Sequence, residues 1–296
     1  MSRRSFVVFT AVLALASVAP GRAATKKPTK RATTTAAVAK KSEPIEPYPV
    51  EEPGAPPRVR AASAIVFDAG KGTILHEINA DHPRPVASTQ KLMTALLVAE
   101  AGNLDEPVRV AAPDTWAEPT MLYIKPGEVY SRRRLLEVLL VKSMNDVARC
   151  LARDNAGSVE AFALKMNARA QQLGMTNSHF VNPNGLPTPG QYSTARDMAK
   201  LAAAAYRNAT IRSIVRVKEL LWHYNDGRVK HFTNTNRVLK NYALCNGMKT
   251  GYTEASGFCL ISSASNGARD VIAVVLGDGE SIWIDSYRLL AWGLSS

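Results

Sequence analysis

Three short stretches carry side chains suited to acyl chemistry. Ala87-Ser88-Thr89-Gln90-Lys91 sets a hydroxyl and an amine three residues apart, a spacing that puts both on one face of a helix, one turn from each other. A serine hydroxyl is a weak nucleophile until a neighbour accepts its proton. Lysine does this only where burial or a second cation lowers its pKa enough to populate the free amine. Ser143-Met144-Asn145 sets a hydroxyl and a carboxamide two residues apart. From a turn both can point into one site, one to relay a proton, the other to orient an amide or hold a lysine. Lys249-Thr250-Gly251, followed by Tyr252, offers a cation and a hydroxyl for a carboxylate. Its glycine leaves room for a substrate backbone to lie against a strand.

Taken singly, Ser-x-x-Lys arises by chance roughly once in a chain of this length, and Ser-x-Asn also fits an ordinary polar helix end. In this order, however, the three form the set found in penicillin-binding proteins and class A β-lactamases. The chain resembles the penicillin-recognising serine hydrolases, and most closely the low-molecular-mass D-alanyl-D-alanine carboxypeptidases. The resemblance runs from about Ala61 to Leu294. It includes Phe180-Val181-Asn182-Pro183-Asn184-Gly185-Leu186 and Tyr192-Ser193-Thr194-Ala195-Arg196-Asp197-Met198-Ala199.

The resemblance implies a β-lactamase/transpeptidase-like fold and a role for each residue. Ser88 would attack the carbonyl between two D-alanines of a peptidoglycan stem peptide and become acylated. Lys91 would be its base, Ser143 would pass a proton to the leaving amine, and Asn145 would hold the substrate amide or position Lys91. Lys249 and Thr250 would hold the terminal carboxylate, with Gly251 beside them and the N–H groups of Ser88 and Tyr252 as oxyanion hole. Lys249 would also lower the pKa of Lys91. β-Lactam antibiotics would act as covalent inhibitors, and no metal or organic cofactor is called for. Within the same chemistry a D,D-endopeptidase cutting cross-links is the alternative; from a different class, a catalytically silent wall-binding module. A β-lactamase is disfavoured because no glutamate-bearing loop is evident between the second and third motifs. Met144 stands where relatives carry a small residue, so a bulky thioether is expected to narrow the cleft. Many relatives continue past the closing helix into a β-rich domain and a membrane anchor. The chain ends at Ser296, so no stable membrane anchor is expected once a signal is cleaved.

These residues need elements to position them. Leu92, Ala95, Leu96 and Ala99 recur at helical spacing after Ser88, with Met93, Leu97 and Val98 on the other side, which predicts a buried helix carrying the serine. Residues 62–68 and 73–77 read as strands about the turn 69–72. A short strand falls at 108–110 and a helix at 135–155, broken near Lys142-Ser143. Helices follow at 158–173, capped by Ser158 and ended by Gly174, and at 194–206. Strands at 220–224, 259–264 and 270–276, the last two joined by the hairpin Ser265-Asn266-Gly267-Ala268, precede a helix at 281–294 with Trp283, Tyr287, Leu290 and Ala291 on one side. Strands come from both ends of the chain and helices from the middle. The fold class is therefore α/β of the α+β kind: an antiparallel sheet flanked by helices, with an inserted all-helical lobe.

The chain has 296 residues, 46% hydrophobic, and a formal net charge of +12. Residues 1–60 hold eleven Lys/Arg against four Glu, so the excess sits in an N-terminal arm, able to meet an anionic polymer or surface. Arg3 and Arg4, an apolar run from Phe6 to Ala19, and small residues at Gly21, Ala23 and Ala24 have the order of a signal peptide. Residues 2–7 also fit a twin-arginine export signal. The expected organisation is a signal peptide at 1–24, a basic Pro-rich linker at 25–60 and a serine D,D-peptidase domain at 61–296. The expected product is exported, periplasmic or extracellular at the cell wall, and nucleic acid is not expected as a partner. Cys150, Cys245 and Cys259 read as buried thiols, with a Cys245–Cys259 bridge as the other reading. The five histidines show no metal-ligand spacing.

Overall fold

The computed structural model describes residues 54–296, so the expected signal peptide and all but the last part of the expected linker lie outside the described residues. Five strands form one antiparallel sheet: β1 (Ser63–Asp68), β2 (Ile74–Ile78), β7 (Cys245–Thr253), β8 (Gly257–Ser265) and β9 (Asp270–Asp278). Their order across the sheet is β2-β1-β9-β8-β7. The first strand of the folded unit thus pairs with the last, Val66 opposite Ala273, and both are central. Successive strand residues point to opposite faces. Ile65 and Phe67 of β1 join a core with Ile261, Ile272 and Val274 on one face. Ala64 and Val66 join Leu260, Ala273 and Val275 on the other. Both faces being covered, β1 reads as an unbroken apolar run.

The first face carries the helical lobe. It is built from α1 (Lys91–Ala101), α2 (Arg132–Lys142), α3 (Asn145–Ala156), α4 (Val159–Gln172), α5 (Ala195–Arg207) and α6 (Ala209–Val215). Leu92, Leu96, Leu135, Leu139, Val147 and Leu201 supply its core. The second face is covered by α7 (Arg237–Asn241) and α8 (Ile282–Ser295), through Val238, Leu239, Ile282, Tyr287, Leu289 and Leu290. The antiparallel sheet, its flanking helices and the inserted lobe are those expected from the sequence. No helix among the described residues is long and apolar enough to cross a membrane.

Several elements differ from the sequence reading. Residues 220–224 do form a strand, β5 (Glu219–His223), but it pairs with β6 (Val229–Thr233) in a separate hairpin outside the sheet. The edge strand β7 bears out the strand implied at Lys249-Thr250-Gly251, but its extent does not show in the sequence, because Cys245-Asn246-Gly247 and Lys249-Thr250-Gly251 lack apolar alternation. The helices α6 and α7, of seven and five residues, are too short to show a period. Short strands β3 (Pro107–Arg109) and β4 (Val129–Ser131) pair at the edge of the lobe. The buried face of α8 is turned from the expected one: Ile282, Leu289 and Trp292 are inside with Tyr287 and Leu290, whereas Trp283 is half-buried. Packing reaches back into the expected linker, where Trp292 Nε1 donates to Gly54 O at 2.8 Å and the Arg60 N–H to Asp285 at 2.8 Å. All three cysteines are buried and unpaired, so the Cys245–Cys259 bridge is not formed.

Candidate active site

Ser88 stands on a 3₁₀ turn, Ala87–Gln90, and Lys91 is the first residue of α1. The sequence placed both on one α-helix. The tighter 3₁₀ turn eclipses positions i and i+3, and Lys91 Nζ lies 2.7 Å from Ser88 Oγ. The turn is held by its neighbours. Ala87 takes a left-handed φ of 48°, and the loop at Gly185 presses on it. A Cβ built on Gly185, itself at φ +82°, would fall 2.1 Å from Ala87 O. β7 approaches the same turn, where a Cβ on Gly251 would lie 2.9 Å from the Ser88 nitrogen and 3.0 Å from that of Thr89. Glycine at 251 therefore lets the edge strand touch the turn that presents the serine.

Lys91 is fully buried. Its Nζ contacts Ser88 Oγ at 2.7 Å, Asn145 Oδ1 at 2.7 Å and the Asn184 carbonyl at 2.5 Å. Burial drives its pKa well below the ordinary lysine value, the charge of Lys249 pushes the same way, and Asp146 opposes them. A neutral amine has two N–H donors and one lone pair. Asn145 and Asn184 supply two acceptors, so the lone pair faces the third neighbour, the Ser88 hydroxyl. The Asn145 amide is oriented by its own bond, Nδ2 donating to Pro119 O at 2.6 Å, which turns Oδ1 to the lysine.

The break between α2 and α3 explains how Ser143 and Asn145 share a site. Ser143 is left-handed at φ 71° and its N–H closes α2 on Leu139 O at 3.0 Å; Met144 is extended and opens α3. Ser143 lines the cleft that contains Ser88. Met144 turns the other way, into the helical core. The expectation that its thioether narrows the cleft is thereby corrected: alternation at the break sends positions 143 and 145 toward the site and 144 away from it.

Lys249 is also fully buried, and burial alone lowers its pKa to about 7. Its Nζ donates to Thr250 O at 2.9 Å, and it is not part of the cleft wall. Thr250 is, with its Oγ1 bonded to Thr235 Oγ1 at 2.8 Å. Tyr252 is exposed at the mouth, its ring 4.6 Å from that of Phe258. The cleft holds about 280 Å³ between Ser88, Thr120, Lys142 and Ser143 on one side and Thr250, Gly251, Tyr252, Phe258, Ile282 and Trp283 on the other.

Sequence reasoning assigned no role to Asn184, Asn182, Thr235 or Asp146. Asn182 Oδ1 accepts from the N–H groups of Asn184 and Gly185 at 3.2 and 2.8 Å, shaping the loop that offers the Asn184 carbonyl. Asp146 accepts from the N–H groups of Leu122, Tyr123 and Ile124, fixing the segment that supplies Pro119 O and Thr120. The signal for the first two was present in Asn182-Pro183-Asn184-Gly185, a turn sequence. Nothing local marks the other two.

A cleft-lining serine on a 3₁₀ turn with a buried lysine beside it, bordered by an edge strand bearing Lys-Thr-Gly and by a Ser-x-Asn helix break, defines the class of serine D,D-peptidases and their penicillin-binding kin. The D-alanyl-D-alanine carboxypeptidase family, peptidase S11, matches residues 50–280, and the chain belongs to that family. It is 36% identical over 251 residues to the D-alanyl-D-alanine carboxypeptidase DacC of Escherichia coli, covering 80% of this chain and 62% of that protein. A D-alanyl-D-alanine endopeptidase of the same bacterium is 32% identical over 246 residues, 80% of this chain and 78% of that one. The crystal structure of the Streptomyces K15 DD-transpeptidase superposes with a TM-score of 0.77 at 29% identity, over 82% of this chain and 100% of that one. The chain spans about three-fifths of the length of the first curated relatives it matches.

Proposed function

We propose that the protein is an exported serine-type D-Ala-D-Ala carboxypeptidase that removes the terminal D-alanine of peptidoglycan stem peptides through an acyl-enzyme on Ser88, and that penicillin acylates the same serine. The observation that carries this is the 2.7 Å contact between Ser88 Oγ and a fully buried Lys91 amine whose other two neighbours are acceptors. Lys91 takes the serine proton as Oγ attacks the carbonyl between the two D-alanines. Ser143, on the cleft wall, passes a proton to the leaving amine. The Ser88 and Tyr252 N–H groups stabilise the oxyanion, an effect worth about 3–4 kcal/mol per donor. Thr250 meets the terminal carboxylate directly, and Lys249 supports it with positive charge from behind the strand. Water then releases the acyl group and regenerates Ser88.

Covalent labelling by a fluorescent penicillin, lost in Ser88→Ala, tests the nucleophile. A well-folded protein that never labels would return the reading to a wall-binding module. The endopeptidase relative keeps a second reading within the same chemistry, in which the leaving amine belongs to a cross-linked stem. Purified muropeptides separate the two: free D-alanine from a pentapeptide marks the first, loss of cross-linked dimers the second. The domain organisation is proposed on the same footing, with residues 1–24 directing export and 25–60 linking to the peptidase unit.

A further inference from the structure

The far end of the cleft is apolar and aromatic, which bears on what sits beside the scissile bond. Thr250 and Tyr252 are two apart on β7 and so share one face of the sheet. Their partners across the ladder are Leu260 and Phe258. Leu260 packs in the core under α8, with Phe258 and Trp283 half-buried against it. The Tyr252 and Phe258 rings stack at 4.6 Å, and Arg237 lies over the Trp283 ring at 5.3 Å. Tyr252, Phe258, Ile282 and Trp283 therefore continue the cleft on the face where the Thr250 hydroxyl stands. A peptide whose terminal carboxylate rests on Thr250 ends beside this shelf. A methyl group covers little of it.

We infer that Tyr252, Phe258 and Trp283 form a subsite for a bulky apolar side chain on the departing D-amino acid, so that the enzyme hydrolyses stem peptides ending in large D-residues as well as D-alanine. This rests on the D,D-peptidase reading above. The step is the same hydrolysis: the amide bond before the last residue breaks, water supplies the hydroxyl and the proton, and the free D-amino acid leaves. Apolar contact with a half-open shelf offsets the cost of seating a large side chain in proportion to the area covered, so Trp283 sets the preference through contact area.

The test compares kcat/KM for acetyl-L-Lys-D-Ala-D-Phe and acetyl-L-Lys-D-Ala-D-Ala, in the wild-type protein and in Trp283→Ala. The wild type is expected to process the D-Phe peptide at least a tenth as efficiently as the D-Ala peptide. The ratio of the two is expected to fall at least tenfold in Trp283→Ala, to recover in Trp283→Phe, and to fall likewise in Phe258→Ala should Trp283→Ala not fold. A wild-type ratio below a tenth, or a smaller fall in the folded variants, overturns the subsite. Fluorescent penicillin in the same samples separates the two levels of failure. Protein that labels and cleaves only the D-Ala peptide overturns the shelf alone, whereas protein that neither labels nor cleaves overturns the peptidase reading with it.

Discussion

The Lys91 amine sits fully buried beside the charge of Lys249, so protonating it costs both desolvation and repulsion. The free amine is held for the Ser88 hydroxyl, and acylation should fail when it is lost. Lys91→Ala is expected to slow penicillin acylation by about 10³-fold or more, the range of a general base, measured by stopped-flow with a chromogenic β-lactam. Equal rates in the two proteins would remove Lys91 from that role. The rate should also drop about tenfold per pH unit on the acid limb, as Lys91 takes up its proton. Lys249 gives a stability prediction of defined sign. Its folded pKa, about 7, lies below the unfolded value, so the unfolded chain binds more protons between about pH 7 and 10.5 and stability rises with pH across that window. Below pH 7 the cost of burying its charge is full. Lys249→Met should therefore be the more stable protein by a few kcal/mol, at most, near neutrality, with the gap closing toward pH 10.5, while recognition of the carboxylate weakens. Urea unfolding of both proteins at pH 7 and pH 10 checks it.

Two close approaches at the level of elements decide whether the nucleophile is presented. The loop at Gly185 and the edge strand β7 at Gly251 both press on the 3₁₀ turn, each within reach of the Ser88 nitrogen. At 185 both a positive φ and a backbone clash forbid a side chain. Gly185→Ala is expected to cost about 1–3 kcal/mol of stability and to displace Ala87 and Ser88 together, abolishing penicillin labelling. Gly251→Ala, without the φ penalty, should leave the melting temperature closer to wild type while still blocking labelling, because the added methyl meets the Ser88 amide. Differential scanning fluorimetry with gel labelling distinguishes them. The 143–145 break works by the same logic. One left-handed residue and one extended residue turn a continuous helix into two, and send alternate side chains to cleft and core.

Across the whole molecule, strands from the two ends of the folded unit lie side by side, β1 against β9, and α8 seals the face they share. The site is assembled at the far edge of that sheet, where β7 meets the helical lobe. Removing α8 would uncover Ala64, Val66, Leu260, Ala273 and Val275 at once. A chain ended at Asp278 is therefore expected to lose cooperative thermal unfolding by circular dichroism, whereas Leu289→Ala should lose about 2–5 kcal/mol and remain folded. Retained cooperative unfolding in the shortened chain would show that the second core is dispensable.

Much of this was written locally. The apolar run of β1, the hairpin at 265–268, the cap at Ser158 and the buried α1 follow from side-chain period and turn chemistry, which act over a few residues. The types of the chemical residues, Ser88, Lys91, Ser143, Asn145, Lys249 and Thr250, were legible for the same reason. Tertiary structure alone decided their company. The Asn184 carbonyl on Lys91, Thr235 beside Thr250, the inward turn of Met144 and the exclusion of β5 from the sheet depend on contacts between segments far apart in the chain. No local period encodes which polar group another segment will bring to a buried amine. Burial set the chemistry last: the sequence names a lysine, but only the close-packed interior around it removes the water that would keep it charged.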